Sequence, residues 1–303
     1  MMNKYLVVIA GPTASGKTNL GIELAETFNT EIISADSRQI YKELSIGTAV
    51  PDKEQLIRVK HHFIRNISIS DPYNAYRFEI DVLSLLDELF SRYDLVLMVG
   101  GSGLYIDAVC NGIDYFPDTD PELRKKLDDD YRREGIEGYR QQLKILDPVS
   151  YSKIDLRNPK RIQKALEISL MTGKPYSSFL SGTSKERPFR VIRTALNPGR
   201  ENLYNRINQR VLEMIEKGLI EEARSLYPFK HINALNTVGY RELFGYFDGI
   251  LSKEEAIKQI QNNTRKYARK QITWFRKNNR YKWFSPEEKK EIEKHIKSSV
   301  KSR

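Results

Sequence analysis

The sequence of 303 residues contains one cysteine, four histidines and no long hydrophobic run. The single cysteine, Cys110, excludes an internal disulfide, and without a Cys/His cluster there is no zinc site to propose. No segment approaches the roughly 18 consecutive apolar residues of a membrane-spanning helix. The apolar start of the chain lacks the cleavage site of a signal peptide. We therefore expect a cytoplasmic, monomeric protein with no membrane partner.

Acidic residues are scarce in the last third of the chain. From Arg190 to the end there are 25 Lys and Arg but 13 Asp and Glu, a net charge of +12, whereas the first 189 residues hold 25 and 27, a net charge of −2. Residues 256–286 contain no acidic residue at all. Positive charge gathered in one region indicates a polyanionic partner, most often a nucleic acid.

Part of this charge falls on a helix predicted at residues 253–277. On a helical wheel its cations form two adjoining stripes, Lys258, Arg265, Arg269 and Arg276 on one and Lys266, Lys270 and Lys277 on the other. The opposite side is apolar, with Ile257, Ile260, Ala268, Ile272 and Phe275. A basic stripe backed by a core face suits an RNA backbone, and the alternative is an ordinary solvated face.

The segment "GPTASGKT" at residues 11–18 fits the phosphate-loop pattern G-x-x-x-x-G-K-[ST], between a predicted strand and a predicted helix. The loop residues expected to surround a diphosphate are Gly11, Pro12, Thr13, Ala14, Ser15, Gly16, Lys17 and Thr18. Backbone N–H groups and the helix N-terminus attract the anion, and Lys17 adds a positive charge. The Thr18 hydroxyl can hold Mg²⁺, so Thr18 is the predicted metal ligand.

The fold class follows from the order of the predicted elements. Strands at 5–10, 31–35 and 95–99 are short and apolar, and helices at 18–28 and 79–92 connect them, which is typical of a parallel sheet. We predict an α/β fold, a P-loop parallel sheet flanked by helices, with an inserted helical subdomain. The predicted core occupies residues 1–116 and 190–303, and the insertion occupies 117–189. Helices are expected at 201–226 and 253–277.

The third strand lacks an acid that nucleotide-hydrolysing proteins of this type usually have. Such enzymes end a neighbouring strand with an Asp that organises Mg²⁺, but residues 95–99 run into Gly100 and Gly101. The nearest acid at a strand end is Asp36, on the edge of the sheet where α/β proteins bind their ligands. From the residues alone, Asp36 is a metal ligand, a helix N-cap or a general base.

The chain resembles a known family, the tRNA dimethylallyltransferases, also called tRNA isopentenyltransferases. The motifs that carry the resemblance are "GPTASGKT", "SADSRQIYKELSIGTAVP", "GGSGLYI", "NPKRIQKALE", "NTVGYRE" and "RKYARKQITWFRK", in the order of the family. The family usually has Thr at the position of Ser102 and often Lys at that of Val50. The resemblance covers essentially the whole chain.

The resemblance implies transfer of a dimethylallyl group from dimethylallyl diphosphate to the exocyclic N6 amine of the adenine next to the anticodon, on its 3′ side. The partners are then the anticodon stem-loop of tRNA and the diphosphate, with Mg²⁺ as cofactor. It assigns the general base to Asp36, with Lys17, Thr18 and Ser102 as further catalytic residues. Expected tRNA contacts are Asp36, Ser37, Arg38, Gln39, Ser102, Arg124, Lys160, Arg161, Lys164, Tyr240, Arg241, Arg265, Arg269, Lys270 and Arg276.

Three other interpretations are weighed against this one. A P-loop kinase or NTPase requires the missing strand-end acid. A non-catalytic RNA-binding protein has no need of a phosphate loop. An enzyme that prenylates free adenine nucleotides would not need so long a basic surface. The missing acid is expected for prenyl transfer, because the diphosphate is then the leaving group and no water has to be directed at a γ-phosphate.

Overall fold

The structure is a computed structural model that describes residues 4–118 and 120–301. It divides into two compact units, the first formed by Met1–Asn111 with Glu186–Arg303 and the second by Gly112–Lys185. The insertion predicted at 117–189 therefore begins and ends a few residues later than the compact unit. None of the helices in the described part of the chain is long and apolar enough to cross a membrane.

A six-stranded sheet, parallel throughout, forms the centre of the first unit. Its strands are β1 (Tyr5–Ala10), β2 (Ile32–Ala35), β3 (His61–His62), β4 (Leu95–Gly100), β5 (Arg190–Leu196) and β6 (Lys282–Phe284), in the order β3-β2-β4-β1-β5-β6. In the pairing register, Gly100 of β4 lies beside both Ala10 of β1 and Ala35 of β2. The segments that follow these three strands therefore meet at one edge of the sheet.

Helices surround this sheet. In the first unit they are α1 (Lys17–Phe28), α2 (Lys53–Arg58), α3 (Ala75–Arg92), α4 (Gly103–Asn111), α8 (Arg200–Glu216), α9 (Leu219–Leu226), α10 (Tyr240–Phe247), α11 (Lys253–Arg276) and α12 (Lys289–Lys301). The second unit contains α5 (Pro121–Leu146), α6 (Pro148–Lys153) and α7 (Pro159–Thr172). These elements confirm the predicted P-loop α/β fold.

Both faces of the sheet are covered, as the continuous apolar runs of its strands require. Leu6 and Val8 of β1 point into one core, which α3 and α4 complete. Val7 and Ile9 point into the other, which α1 and α12 complete. A third cluster of buried side chains joins α8, α9, α10 and the first half of α11 to the segment after β2.

The second unit is helical and has a core of its own, formed by Leu127, Tyr139, Leu143, Ile162, Ala165 and Leu166. Its longest helix, α5, is interrupted at Gly135, whose backbone is not helical (φ 67°, ψ −162°). Asn158 caps α7 through a bond from the Arg161 N–H, and Pro159 occupies the first turn, as its fixed φ favours.

The prediction of one of the helices is wrong. The sequence pattern predicts a continuous helix at residues 201–226, but the structure has α8 and α9 with a break at Gly218. Gly218 has a φ of 96°, a backbone conformation that glycine alone adopts at low cost, and it turns the chain between the two helices. The apolar period continues across the break, which is why the sequence pattern does not reveal it.

Candidate active site

The phosphate loop connects β1 to α1, at the edge of the sheet where β1, β2 and β4 end. Gly16 has a left-handed backbone (φ 87°) and no side chain caps α1, so the N-terminus of the helix is open to an anion. Ser15 is fully buried, and its Oγ has no hydrogen-bond partner among the described residues. An orphaned hydroxyl inside a phosphate cradle fits an oxygen atom of a bound diphosphate.

Two cations lie beside this loop. The Nζ atom of Lys17 donates to the carbonyl of Pro12 at 3.1 Å. Burial lowers the pKa of Lys17 to about 8, against the pull of the Asp36 carboxylate and with a smaller contribution from Arg210. Arg210 of α8 is half-buried, and desolvation lowers its pKa, although the Glu213 carboxylate opposes the shift. Two half-buried cations form a strong site for a diphosphate, whose charge they would neutralise.

Arg210 is a site residue that the sequence analysis does not predict. It lies on α8, almost 200 residues after the phosphate loop, and in sequence it is one basic residue of an amphipathic helix. Only the packing of α8 against the sheet edge brings it to Lys17. No local sequence signal distinguishes Arg210 from Arg206 on the same helix.

Asp36 lies directly after β2 and organises the turn that follows it. Its Oδ1 accepts from the Arg38 N–H at 2.9 Å and the Gln39 N–H at 3.3 Å. The Ser102 hydroxyl accepts from the Ser37 N–H at 2.9 Å and lies 3.2 Å from the Ser37 Oγ. The predicted site residues Asp36, Ser37 and Ser102 are thus brought together, and Oδ2 of Asp36 receives no hydrogen bond from the described residues.

The end of β4 has no space for the acid of a nucleotide-hydrolysing enzyme. A Cβ atom added to Gly100 would lie 2.1 Å from the carbonyl oxygen of Ala35. Since real Cβ atoms do not approach a backbone oxygen so closely, no side chain fits here. The missing acid is therefore a consequence of how closely β2 and β4 approach at this edge.

Gln271 is a second site residue that the sequence analysis does not predict. Its side chain is almost completely buried. The amide oxygen accepts from the Thr13 N–H at 2.9 Å, and the amide nitrogen donates to the Gly101 carbonyl at 2.9 Å. Gln271 thus ties the phosphate loop to the segment after β4. A usable signal exists, because Gln271 is a polar residue beside the predicted apolar face of α11.

Two cavities meet at the Lys17 and Asp36 side chains. The first has a volume of about 410 Å³ and also reaches Ser37, Arg38 and Tyr267. The second, of about 620 Å³, contains the phosphate loop. Its apolar lining residues are Ile32, Ile46, Val50, Leu56, Ile64 and Val99. The residues common to both cavities are Thr13, Lys17, Asp36, Thr48, Ala49, Arg210 and Met214.

The shared wall includes the loop of residues 45–49, which Glu222 of α9 holds in place. The Glu222 carboxylate accepts from the N–H groups of Ser45 (3.1 Å), Ile46 (2.8 Å) and Gly47 (2.9 Å). The Gln39 amide donates to the carbonyls of the next two residues in the loop, at 3.1 and 2.9 Å. These bonds fix the loop from both ends.

Tyr240 helps to hold the loop of residues 45–49 and does not lie on the surface. It is predicted to contact tRNA, but its side chain is fully buried, and its hydroxyl donates to Glu222 at 2.6 Å. Burial and the Glu222 carboxylate raise the pKa of Tyr240, so the phenol keeps its proton. Its neighbour Arg241 does reach the first cavity, and its guanidinium lies 3.2 Å from Glu242.

The cations of α11 differ in how far they are already engaged. Arg265 is half-buried and donates to Asn208 and Asn262. Arg269 is exposed and donates to the Tyr204 hydroxyl at 2.9 Å, while Arg276 lies over the Trp283 ring at 5.8 Å. Lys270 is exposed and lines the first cavity. The predicted basic side of α11 is present, with Arg265 partly committed to neighbouring side chains.

The predicted basic residues of the second unit lie along α7 and α5. Lys160 is exposed and Arg161 lies at the start of α7. Lys164 is half-buried, with its Nζ 5.7 Å from the centre of the Phe116 ring. Arg124 makes a bidentate ion pair with Glu167, in which its Nε and Nη2 atoms lie 2.6 and 2.9 Å from the two carboxylate oxygens. Its side chain is 52% exposed.

No group of three or more acidic, histidine or cysteine side chains in residues 4–118 and 120–301 could hold a metal ion. Thr18 lines the second cavity beside the phosphate loop. A single hydroxyl together with the oxygens of a bound diphosphate is a normal environment for Mg²⁺, which usually binds through few protein ligands. The residues present therefore fit Mg²⁺ that arrives with the diphosphate.

Comparison with known proteins agrees with this geometry. The family model described as IPP transferase matches residues 39–278. A tRNA dimethylallyltransferase of Porphyromonas gingivalis is 54% identical over 282 residues, covering 93% of this chain and 94% of the relative. One from Christiangramia forsetii is 52% identical over 300 residues, covering 99% of both chains.

Solved structures are similar over the same extent. The full-length tRNA isopentenylpyrophosphate transferase of Bacillus halodurans is 33% identical, with a TM-score of 0.73, covering 98% of this chain and 97% of that one. A eukaryotic dimethylallyltransferase acting on tRNA is 28% identical, also with a TM-score of 0.73, covering 89% of this chain and 69% of that one. This chain therefore belongs to the IPP transferase family, the tRNA dimethylallyltransferases.

Proposed function

We propose that this protein transfers the dimethylallyl group of dimethylallyl diphosphate to the N6 amine of the adenine 3′-adjacent to the anticodon of tRNA. A C–N bond forms, the C–O bond to the diphosphate breaks, and the amine loses a proton. The observation that carries the proposal is the meeting of two cavities at Lys17 and Asp36, beside a strand end that holds no acid. That arrangement serves a departing diphosphate and not the hydrolysis of a γ-phosphate.

The phosphate loop holds the leaving group. Lys17 and Arg210 neutralise the charge that grows on the diphosphate as the C–O bond breaks, and the N-terminus of α1 and the Ser15 hydroxyl add donors. When bound, Mg²⁺ held by Thr18 and the diphosphate oxygens would supply further neutralisation. The apolar side chains that line the second cavity accept the five-carbon chain.

Asp36 acts as the general base. The adenine amine is a weak nucleophile because its lone pair is delocalised into the ring, so removal of its proton assists the attack. Two backbone N–H groups fix Oδ1, which leaves Oδ2 as the proton acceptor. Tyr267 lines the same cavity, where desolvation of its hydroxyl raises the pKa of the phenol and keeps it protonated.

Transfer RNA binds through the basic residues of both units. On α11 these are Arg265, Arg269, Lys270 and Arg276, and on the second unit Arg124, Lys160, Arg161 and Lys164. Arg38 and Arg241 lie at the first cavity, where an unpaired adenine can enter after leaving its stack. Ser37, Gln39 and Ser102 complete the pocket around the base. Tyr240 supports the wall of the cavity from within the core.

Nucleoside analysis tests the proposal. Unmodified tRNA is incubated with the protein, Mg²⁺ and dimethylallyl diphosphate, digested, and analysed by mass spectrometry, with free AMP as a parallel substrate. We expect isopentenyladenosine from tRNA and none from AMP. Product from AMP alone would support the free-nucleotide alternative, and absence of product from both would contradict prenyl transfer.

A further inference from the structure

Two large aromatic side chains on α11 are exposed although the helix is otherwise basic on its outer side. Tyr267 is 42% exposed and Trp274 is 39% exposed. They are seven residues apart, two turns of the helix, and therefore lie on one face, with Lys270 between them. Leu104, at the start of α4, is 48% exposed. Exposed aromatics grouped on one helix face indicate a contact surface.

The Trp274 indole is held in a fixed position. A Cβ atom added to Gly103 would lie 2.3 Å from Cδ1 and 2.4 Å from Nε1 of Trp274, so only glycine lets the ring lie this close to the backbone. The Nε1–H donates to Asp107 at 2.8 Å. With its one polar group satisfied and one edge against the glycine, Trp274 still keeps 39% of its surface exposed to solvent.

This aromatic surface continues directly from the active site. Gly103 follows Ser102, which is bonded to Ser37 in the first cavity. Tyr267 and Lys270 both line that cavity. The Asp107 carboxylate accepts from the indole, but the charged side chains of α11 around it are all cationic, since residues 256–286 contain no acidic residue. A rigid aromatic surface with adjacent cations is the usual combination for stacking an unpaired nucleic-acid base and holding its phosphate.

We propose that Trp274, supported by Gly103 and Asp107, is a stacking platform for an unpaired RNA base that flanks the target adenine, with Tyr267 and Lys270 between it and the active site. The inference rests on the proposed function, because the occupant is the loop that delivers the adenine. The flanking base stacks on the indole while the target base enters the first cavity, so the platform sets the register of the loop. Trp274 is a positioning residue and takes no part in the chemistry.

A double-mutant cycle tests the platform. The affinities of the wild type and of Trp274→Ala are measured for an anticodon stem-loop RNA and for versions in which each base flanking the target adenine is removed. We expect Trp274→Ala to weaken binding of the intact RNA by about 5- to 150-fold. On one of the abasic RNAs it should weaken binding little further, because the stacked base is already absent. Trp274→Phe, which keeps a ring, should restore much of the affinity.

Fluorescence gives a second readout that does not depend on the alanine variant folding. The protein has two tryptophans, Trp274 and Trp283. Stacking should quench emission on RNA binding in Trp283→Phe, which retains Trp274 as its one tryptophan. Independent effects of Trp274→Ala at every abasic position, or emission of Trp283→Phe that RNA leaves unchanged, would overturn the platform while tRNA modification by the wild type still supports the proposed function. A wild type that does not modify tRNA would overturn both.

Discussion

At the scale of single residues, Asp36 is the proposed general base. Asp36→Asn keeps the acceptor for the Arg38 and Gln39 N–H groups, so the turn should survive, but it removes the proton acceptor. General-base assistance contributes about 10²–10⁴ in rate. We expect a fall of that size in single-turnover transfer at saturating tRNA, with little change in diphosphate affinity.

The same variant distinguishes two roles of Asp36, general base and metal ligand. If Asp36 held Mg²⁺, raising the Mg²⁺ concentration would restore the rate of Asp36→Asn, and diphosphate affinity would drop. A Mg²⁺ series in the single-turnover experiment, beside a direct titration of the diphosphate, distinguishes the two roles. Recovery of the wild-type rate at high Mg²⁺ would remove Asp36 from the role of base.

Lys17 makes diphosphate binding depend on pH. Burial lowers its pKa to about 8 in the free protein, so Lys17 loses its proton as the pH rises through 8. A bound diphosphate favours the charged form and raises that pKa, so binding should take up protons above pH 8 and weaken as the pH rises further. Calorimetric titration with inorganic diphosphate in two buffers of different ionisation enthalpy measures the uptake.

Lys17→Arg is the matched variant for this titration, because a guanidinium stays charged throughout the range. We expect its proton uptake near pH 8.5 to vanish, even if its affinity is lower. Equal uptake by Lys17→Arg and the wild type would assign the proton to another group.

The residues of the site differ in whether the local sequence predicts them. The phosphate loop and Asp36 are predictable because each lies in a short segment whose own pattern shows it. Arg210 and Glu222 are not, because they lie on helices more than 150 residues away in sequence and reach the site only through packing. Gln271 lies as far away, and its one signal is a polar residue beside an apolar helix face. Tyr240 is predicted as a tRNA contact, but its ring points into the core. The sequence motif does not show in which direction the ring points.

At the scale of elements, α9 positions the loop of residues 45–49. The Glu222 carboxylate accepts from three loop N–H groups and from Tyr240. In Glu222→Gln an amide N–H₂ group would face these donors, and bonds to a charged group typically contribute about 1.5–3 kcal/mol. We expect dimethylallyl diphosphate to bind roughly 10- to 100-fold more weakly.

The measurement is a titration of the diphosphate, with Glu221→Gln as the control. Glu221 is the exposed neighbour on α9 and has the same charge. Tyr240→Phe, which removes one of the four bonds, should weaken binding less and in the same direction. Equal affinities of Glu221→Gln and Glu222→Gln would show that the loop does not need the carboxylate.

Elements differ in how well the sequence predicts them. Strands β1, β2 and β4 are predictable because each is an apolar run followed by turn residues. Strands β3 and β6 have two and three residues, which is too short for any periodicity to appear. They form because a neighbouring strand is already present to pair with. The local sequence does not show that this neighbour exists.

At the scale of the whole molecule, charge attracts the tRNA. Replacing Arg269, Lys270 and Arg276 of α11 with Gln should flatten the dependence of tRNA affinity on salt, by about 0.7–0.9 in the slope for each RNA phosphate that the variant no longer neutralises. Lys290, Lys294 and Lys301 of α12 are equally exposed and give a control variant with the same change in charge. Equal slopes for the two triple variants would show that α11 is not the RNA surface.

We propose that a phosphate loop without a strand-end acid serves a leaving diphosphate and not nucleotide hydrolysis. This role is tested by counting products in one reaction that contains tRNA, dimethylallyl diphosphate, ATP and Mg²⁺. We expect one diphosphate released for each isopentenyladenosine formed, with ATP unconsumed and both products absent in Lys17→Ala. ATP hydrolysis that Lys17→Ala abolishes, without modified adenosine in the tRNA, would contradict it.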